Sequence, residues 1–169
     1  MDAESVDRFG EQLSVVGASS IRTTADQFPS MVTEAISSPA VGAPLRIDGL
    51  TLDDTPVTLD PSPAELVAAE TGVTSAFLGI AESGTVAIES TADGDELISL
   101  YPHRHVVVVP ASRLYDSLDE ALSHVAVAFE AGRDSLVFVT GTSATADMGA
   151  TVEGVHGPGE VIVIIVEDR

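Results

Sequence analysis

The residues best able to do chemistry lie in four short runs. The first is Thr140–Gly141–Thr142–Ser143–Ala144–Thr145, with Asp147 just beyond it. It follows the apolar run Ser135–Val139, which reads as a strand, and precedes a stretch that reads as a short helix closed by Gly154. A turn that leaves a parallel strand and opens a helix presents unpaired N–H groups at the positive end of the helix dipole. Gly141 permits backbone conformations that other residues resist, and Thr140, Thr142, Ser143 and Thr145 add hydroxyl donors. The expected ligand is a phosphate, a carboxylate or a thioester carbonyl. The same residues also read as a plain helix cap, with Asp147 matching the dipole.

The second run is Gly154–Val155–His156–Gly157–Pro158. A His held between glycines suits an acid, a base or a donor to a ligand, and equally suits a ring that ties the turn to a carbonyl. The third, Glu82–Ser83–Gly84–Thr85, sets a carboxylate and two hydroxyls at a tight turn between strands, where Glu82 fits a general base or an acyl nucleophile. The fourth is His103–Arg104–His105. Two His at i and i+2 share one face of a strand, but no third ligand accompanies them and no metal site is assigned. Arg104 is the more useful group, a cation that attracts an anionic ligand.

An α/β framework must position these runs. Val6, Phe9, Leu13 and Val16 recur at helical spacing and stop at Gly17. A second helix is expected over 27–36 with Asp26 as its cap. Ser62–Glu65 and Ser117–Glu120 are capping boxes, opening helices that end at Gly72 and Gly132. In the second of these, Leu118, Ala121, Leu122, Val125 and Phe129 form one apolar stripe. Strands are expected at Val73–Ile80, Thr85–Glu89, His105–Val109, Ser135–Val139 and Val161–Val166, with shorter candidates at Leu45–Ile47 and Val57–Leu59. Continuous apolar strands alternating with amphipathic helices imply right-handed crossovers and an open, mostly parallel sheet flanked by helices, with its ligand crevice at the carboxyl edge. One domain over residues 1–169 is expected, its N-terminal helix (1–20) at the periphery.

Composition narrows the function classes. Acidic residues number 27 against 7 basic ones, all of them Arg, for a formal charge of −20. Such a surface repels nucleic acid and anionic lipid, so neither is an expected partner. Near 1 M salt the screening length falls to about 3 Å and relieves the self-repulsion, so the composition reads as adaptation to a high-salt cytoplasm, with an ordinary acidic protein as the plainer alternative. With no Cys there is no thiolate nucleophile and no Cys-held iron–sulfur cluster; with no Lys there is no Schiff base and no P-loop lysine. The start of the chain lacks the layout of a signal peptide, and no apolar run reaches membrane-spanning length, so a cytoplasmic protein is expected.

Taken together, the Thr140–Asp147 and Gly154–Pro158 runs resemble the signature of the lactate utilization protein C family, the LUD domain. That signature has a Thr–Gly–Pro–Ser–x–Thr–Ala–Asp run before Gly–x–His–Gly–Pro. Ala81–Thr85 is similar to the family's Ala–Glu–Thr–Gly–Thr, and Pro102–His105 to its Pro–x–x–His. Thr142 stands in place of the usual Pro, and Gly149 in place of an acid. The resemblance implies a Rossmann-like fold similar to those of glucosamine-phosphate isomerases, ribose-phosphate isomerases and CoA transferases. It also implies a part in oxidising L-lactate to pyruvate, with iron–sulfur clusters carried by partner subunits and no cofactor in this chain.

Three functions follow as expectations. The first is a cluster-free subunit of L-lactate oxidation that binds a small anionic, nucleotide or CoA-like ligand at Thr140–Thr145. Its ligand-binding residues would be Ser83, Gly84, Thr85, Arg104, His105, Thr140, Gly141, Thr142, Ser143, Thr145, Asp147 and Gly157. The second is a free-standing isomerase or acyl-transfer enzyme with Glu82 and His156 as catalytic residues. The third is a non-catalytic ligand sensor or scaffold. A homo-oligomer is compatible with all three, and Arg104 and Arg133 are the cations whose position would help choose among them.

Overall fold

The computed structural model describes residues 3–147, 150–154 and 156–169. In chain order its elements are α1 (Ala3–Val15), β1 (Ser19–Thr23), α2 (Phe28–Ala35), β2 (Ala40–Gly42), β3 (Thr58–Leu59) and α3 (Pro63–Ala68). There follow β4 (Thr71–Ser75), β5 (Leu78–Ile80), β6 (Thr85–Glu89), α4 (Asp95–Leu100) and β7 (Arg104–Pro110). The last are β8 (Leu114–Tyr115), α5 (Leu118–Glu130), β9 (Leu136–Thr140), β10 (Ala144–Asp147), β11 (Ala150–Glu153) and β12 (Glu160–Val166).

The central layer is a six-stranded sheet in the order β1-β12-β7-β4-β2-β3, with every pairing parallel. This is the α/β architecture that the apolar runs imply. Val106–Val109 and Val161–Val166 sit at its centre, buried on both faces. On one face Val106, Val108, Ile162 and Ile164 pack against Phe28 and Val32 of α2 and against Leu52 and Val57. On the other, Val107, Val109, Val163 and Ile165 meet Val6, Phe9 and Leu13 of α1 and Val86 and Ile88 of β6. The N-terminal helix, expected at the periphery, thus supplies three side chains to this core. Each such buried apolar side chain contributes about 1.5–3 kcal/mol of transfer free energy.

A second sheet, β8-β5-β6-β9, lies on the α1 side and is covered outside by Ala121 and Val125 of α5. It corrects several expectations. The run 73–80 is two strands, since the chain passes from β4 in the parallel sheet to β5 in the mixed one. Ser135–Val139 is not a parallel core strand: β9 pairs antiparallel with β6 at a sheet edge, and its Phe138 is 43% exposed. Among the described residues no helix follows it. The chain instead forms the antiparallel hairpin β10–β11, so the expected helix N-terminus after Thr140 does not exist.

Smaller differences have equally local causes. Asp26 does not cap α2; the N-cap is Gln27, with no side-chain hydrogen bond. Gly72 lies inside β4, because α3 stops at Ala68. Leu45–Ile47 is not a strand, and β2 lies earlier, over Ala40–Gly42. Leu118, Leu122 and Phe129 of the α5 stripe remain 44–47% exposed, since the small second sheet covers only part of the helix.

Candidate functional site

Two of the four runs meet at the carboxyl end of α1, and a third docks on one of them. That helix closes at Gly17 (φ +79), where the Ala18 N–H donates to Leu13 O at 2.9 Å and the Gly17 N–H to Ser14 O at 3.3 Å. Gly84 (φ +63) lies against the same last turn: a Cβ there would come 2.8 Å from the Leu13 nitrogen. Gly141 (φ +72) lies closer still, and its Cβ would fall on the Val16 carbonyl oxygen. Both glycines therefore serve close backbone approach as well as the turn itself. The helix end is the platform on which the β5–β6 and β9–β10 turns dock.

Register then lines up the hydroxyls. Thr85 pairs with Thr140 across β6 and β9, and their Oγ1 atoms are 2.7 Å apart; Ser83 Oγ lies 2.8 Å from Thr85 Oγ1. Ser83, Thr85 and Thr140 thus form a continuous hydrogen-bonded chain, buried at Thr85 and open at Thr140. Thr142 Oγ1 faces Gly17 across the same junction, 3.3 Å from the position of a Cβ there.

The glycine-rich turn docks on the next residue along. The Ser143 N–H donates to Pro158 O at 2.9 Å, and the Gly154 N–H donates to Ser143 O at 2.8 Å. Gly157 abuts the Ser143 side chain, with a Cβ position 3.1 Å from Ser143 Cβ. The Ser143 N–H is therefore spent inside the protein and is not offered to a ligand. His156 is exposed on this turn. Thr145 and Asp147 belong to β10, and their side chains lie outside what is described, as do Met148, Gly149 and Val155.

Glu82 is already engaged. Its Oε1 accepts from the Leu118 N–H at 2.7 Å, in the first turn of α5, and its own N–H donates to Asp116 O at 3.2 Å. A carboxylate at a helix N-terminus satisfies an orphan donor and opposes the dipole. The group expected to act as base or nucleophile thus fastens the β5–β6 turn to α5.

Of the fourth run only His103 reaches this cluster, and Arg104 and His105 are engaged elsewhere. Arg104 is tied to Glu160 (Nε to Oε2, 2.7 Å), to Ser37 Oγ (2.8 Å) and to Ala35 O (3.1 Å), linking β12 to the end of α2. His105 is wholly buried, its Nε2 lies 2.8 Å from Thr74 Oγ1, and its Nδ1 has no partner among the described residues. Burial pushes its pKa down to about 4, so it is a neutral core residue. The imidazole that reaches the glycine-rich turn is that of His103, packed against Gly154 and Gly159.

This cluster stands at the amino edge of the parallel sheet, beside the starts of β1 and β12. It does not lie at the carboxyl edge expected of a turn after a parallel strand, because β9 belongs to the second sheet and pairs antiparallel there. The α1 platform was also missed. Its only sequence signal is the pair Gly84 and Gly141, and their contacts to α1 are non-local. At the carboxyl edge itself stand Arg46 and Arg113, which nothing in their sequence neighbourhoods marks.

Comparison with known proteins identifies the family. The LUD domain family model matches residues 63–166. A "Lactate utilization protein C" of Deinococcus radiodurans is 31% identical over 97% of this chain and 80% of the relative. Proteins of the same name from Shouchella clausii and Bacillus licheniformis are 33% and 35% identical over 60% of the chain. The matched regions are 45% and 44% of those two proteins, so the chain matches less than half their length. A crystal structure of a DUF162 family protein from Deinococcus radiodurans superposes with a TM-score of 0.78 at 28% identity, covering 97% of both chains. With a family match over more than half its length and a relative aligned along nearly all of it, the chain belongs to the LUD domain family.

Proposed function

We propose that this chain acts in L-lactate utilization as a cluster-free subunit that works beside iron–sulfur partners. The observation that carries the reading is the docking of the Glu82–Thr85 and Thr140–Ser143 runs on one α1 platform, with Gly154–Pro158 docked on Ser143, in a chain aligned along 97% of its length with a lactate utilization protein C. A chain without Cys has no thiolate for a cluster, so electron transfer falls to the partners. The open end of the Ser83–Thr85–Thr140 chain, with Thr142, is the face for a small anionic or nucleotide-like ligand. Hydroxyls hold that ligand, and a helix dipole does not. The isomerase or acyl-transfer reading is weaker, because the Glu82 carboxylate is committed to the Leu118 N–H.

The test is retrieval of the tagged chain, in high salt, from cells growing on lactate. Iron–sulfur proteins carrying their visible chromophore are expected to co-elute in fixed proportion. Recovery of the chain with no iron–sulfur protein would overturn the proposal.

A further inference from the structure

The parallel sheet has a second feature, at the opposite edge from the motif cluster. In the order β1-β12-β7-β4-β2-β3, the chain runs from β2 outward to β3, returns to β4 on the other flank of β2, and proceeds away to β7. The strand order therefore reverses between β2 and β4, and in open α/β sheets the crevice beyond the carboxyl ends at such a point is where ligands bind. A cavity of about 410 Å³ opens there, within the range of small-molecule sites. Arg46 follows β2, Ser75 ends β4 and Phe77 follows it, and Arg113 follows β7; Tyr115 and Arg133 complete the polar wall.

Three of the seven cations of a chain with net charge −20 border this one cavity. Their partners give them different roles. Arg46 donates to Asp95 and Asp93 at 2.7 Å each and to Thr91 Oγ1 at 2.7 Å, while its backbone N–H donates to Ser75 Oγ at 3.2 Å. It is a strut. Arg133 pairs with Glu89 at 2.6 Å and lies over the Phe77 ring, 5.0 Å from its centroid. Arg113 makes one hydrogen bond, to the Arg46 carbonyl at 2.9 Å, and has no carboxylate partner among the described residues. A guanidinium has five N–H donors in a fixed fork, so donors remain for a bidentate anion. Phe77, Val127 and Ala131 supply the apolar wall that an organic body needs.

We propose that this cavity is a binding site for a small organic anion, whose carboxylate or phosphate pairs with Arg113 and whose ring or apolar body lies along Phe77, Val127 and Ala131. In the field of so acidic a protein, gathered cations, one of them without a carboxylate partner among the described residues, offset the general repulsion of an anion. The site is separate from the amino-edge cluster, so its failure would leave the lactate-utilization reading intact.

Calorimetric titration of the whole chain with AMP and with salicylate tests the proposal, with inorganic phosphate as the anion lacking a body. At least one of the two organic probes is expected to bind more tightly than phosphate, and which one binds identifies the charged group. Arg113→Gln should weaken that binding at least about tenfold, as loss of a charge-assisted pair does. Arg8→Gln removes the same charge from exposed α1 and should change binding less than about twofold. Ala131→Trp, at the exposed end of α5, should obstruct the organic probe by filling the apolar wall. Thermal unfolding confirms that each variant is folded. Absence of binding by both organic probes at millimolar concentration would overturn the site, as would equal weakening by Arg113→Gln and Arg8→Gln.

Discussion

Gly141→Ala is expected to lose about 3–5 kcal/mol of folding stability, a large part of what a domain of this size has. Two effects combine. A φ of +72 costs a residue with a Cβ about 1–2 kcal/mol. The added carbon also falls on the Val16 carbonyl oxygen and within 3.0 Å of the Val16 carbonyl carbon, so the β9–β10 turn and the end of α1 must separate. Gly132→Ala is the matched control, because Gly132 has φ +92 but nothing within 4 Å of its Cβ position. It should lose only the conformational part, about 1–2 kcal/mol. Urea unfolding of both variants in high salt measures the difference. Equal losses would mean that the turn does not rest on α1.

Acid is expected to weaken the fold through His105. Its folded pKa, pushed down to about 4 by burial, lies below the 6.5 of the exposed ring. Between those values the unfolded chain binds a proton that the folded chain refuses, so stability falls as pH falls. The contribution is complete above pH 6.5 and is lost progressively toward pH 4, by about 3 kcal/mol in all. Chemical unfolding between pH 7 and 4.5 reads this slope before most carboxylates titrate. In His105→Gln, whose amide can still bond Thr74 Oγ1, the slope in this window should be largely absent. An unchanged slope in that variant would assign the acid sensitivity elsewhere.

Legibility in the sequence followed the range of the interactions. Val106–Val109 and Val161–Val166 declare a doubly buried parallel strand because only that position tolerates unbroken branched apolar residues. The Ser62 capping box is closed in space as its spacing implies, with Ser62 accepting from the Glu65 N–H and Glu65 from the Ser62 N–H. Leu136–Thr140 carries the same apolar signal as β7, yet pairs antiparallel at an edge, because partner and direction are chosen by residues 50 positions away. β1 was invisible: Ser19–Thr23 is a mostly polar edge strand recruited by β12. The site was legible as motifs and not as a place. Thr85 and Thr140 could be named, but their 2.7 Å contact exists only through the β6–β9 register.

The most direct test of the account is growth after deletion of the gene for this chain. The account predicts loss of growth on L-lactate as sole carbon source, unchanged growth on pyruvate, and restoration by the wild-type chain. Undiminished growth of the deletion strain on L-lactate would contradict it.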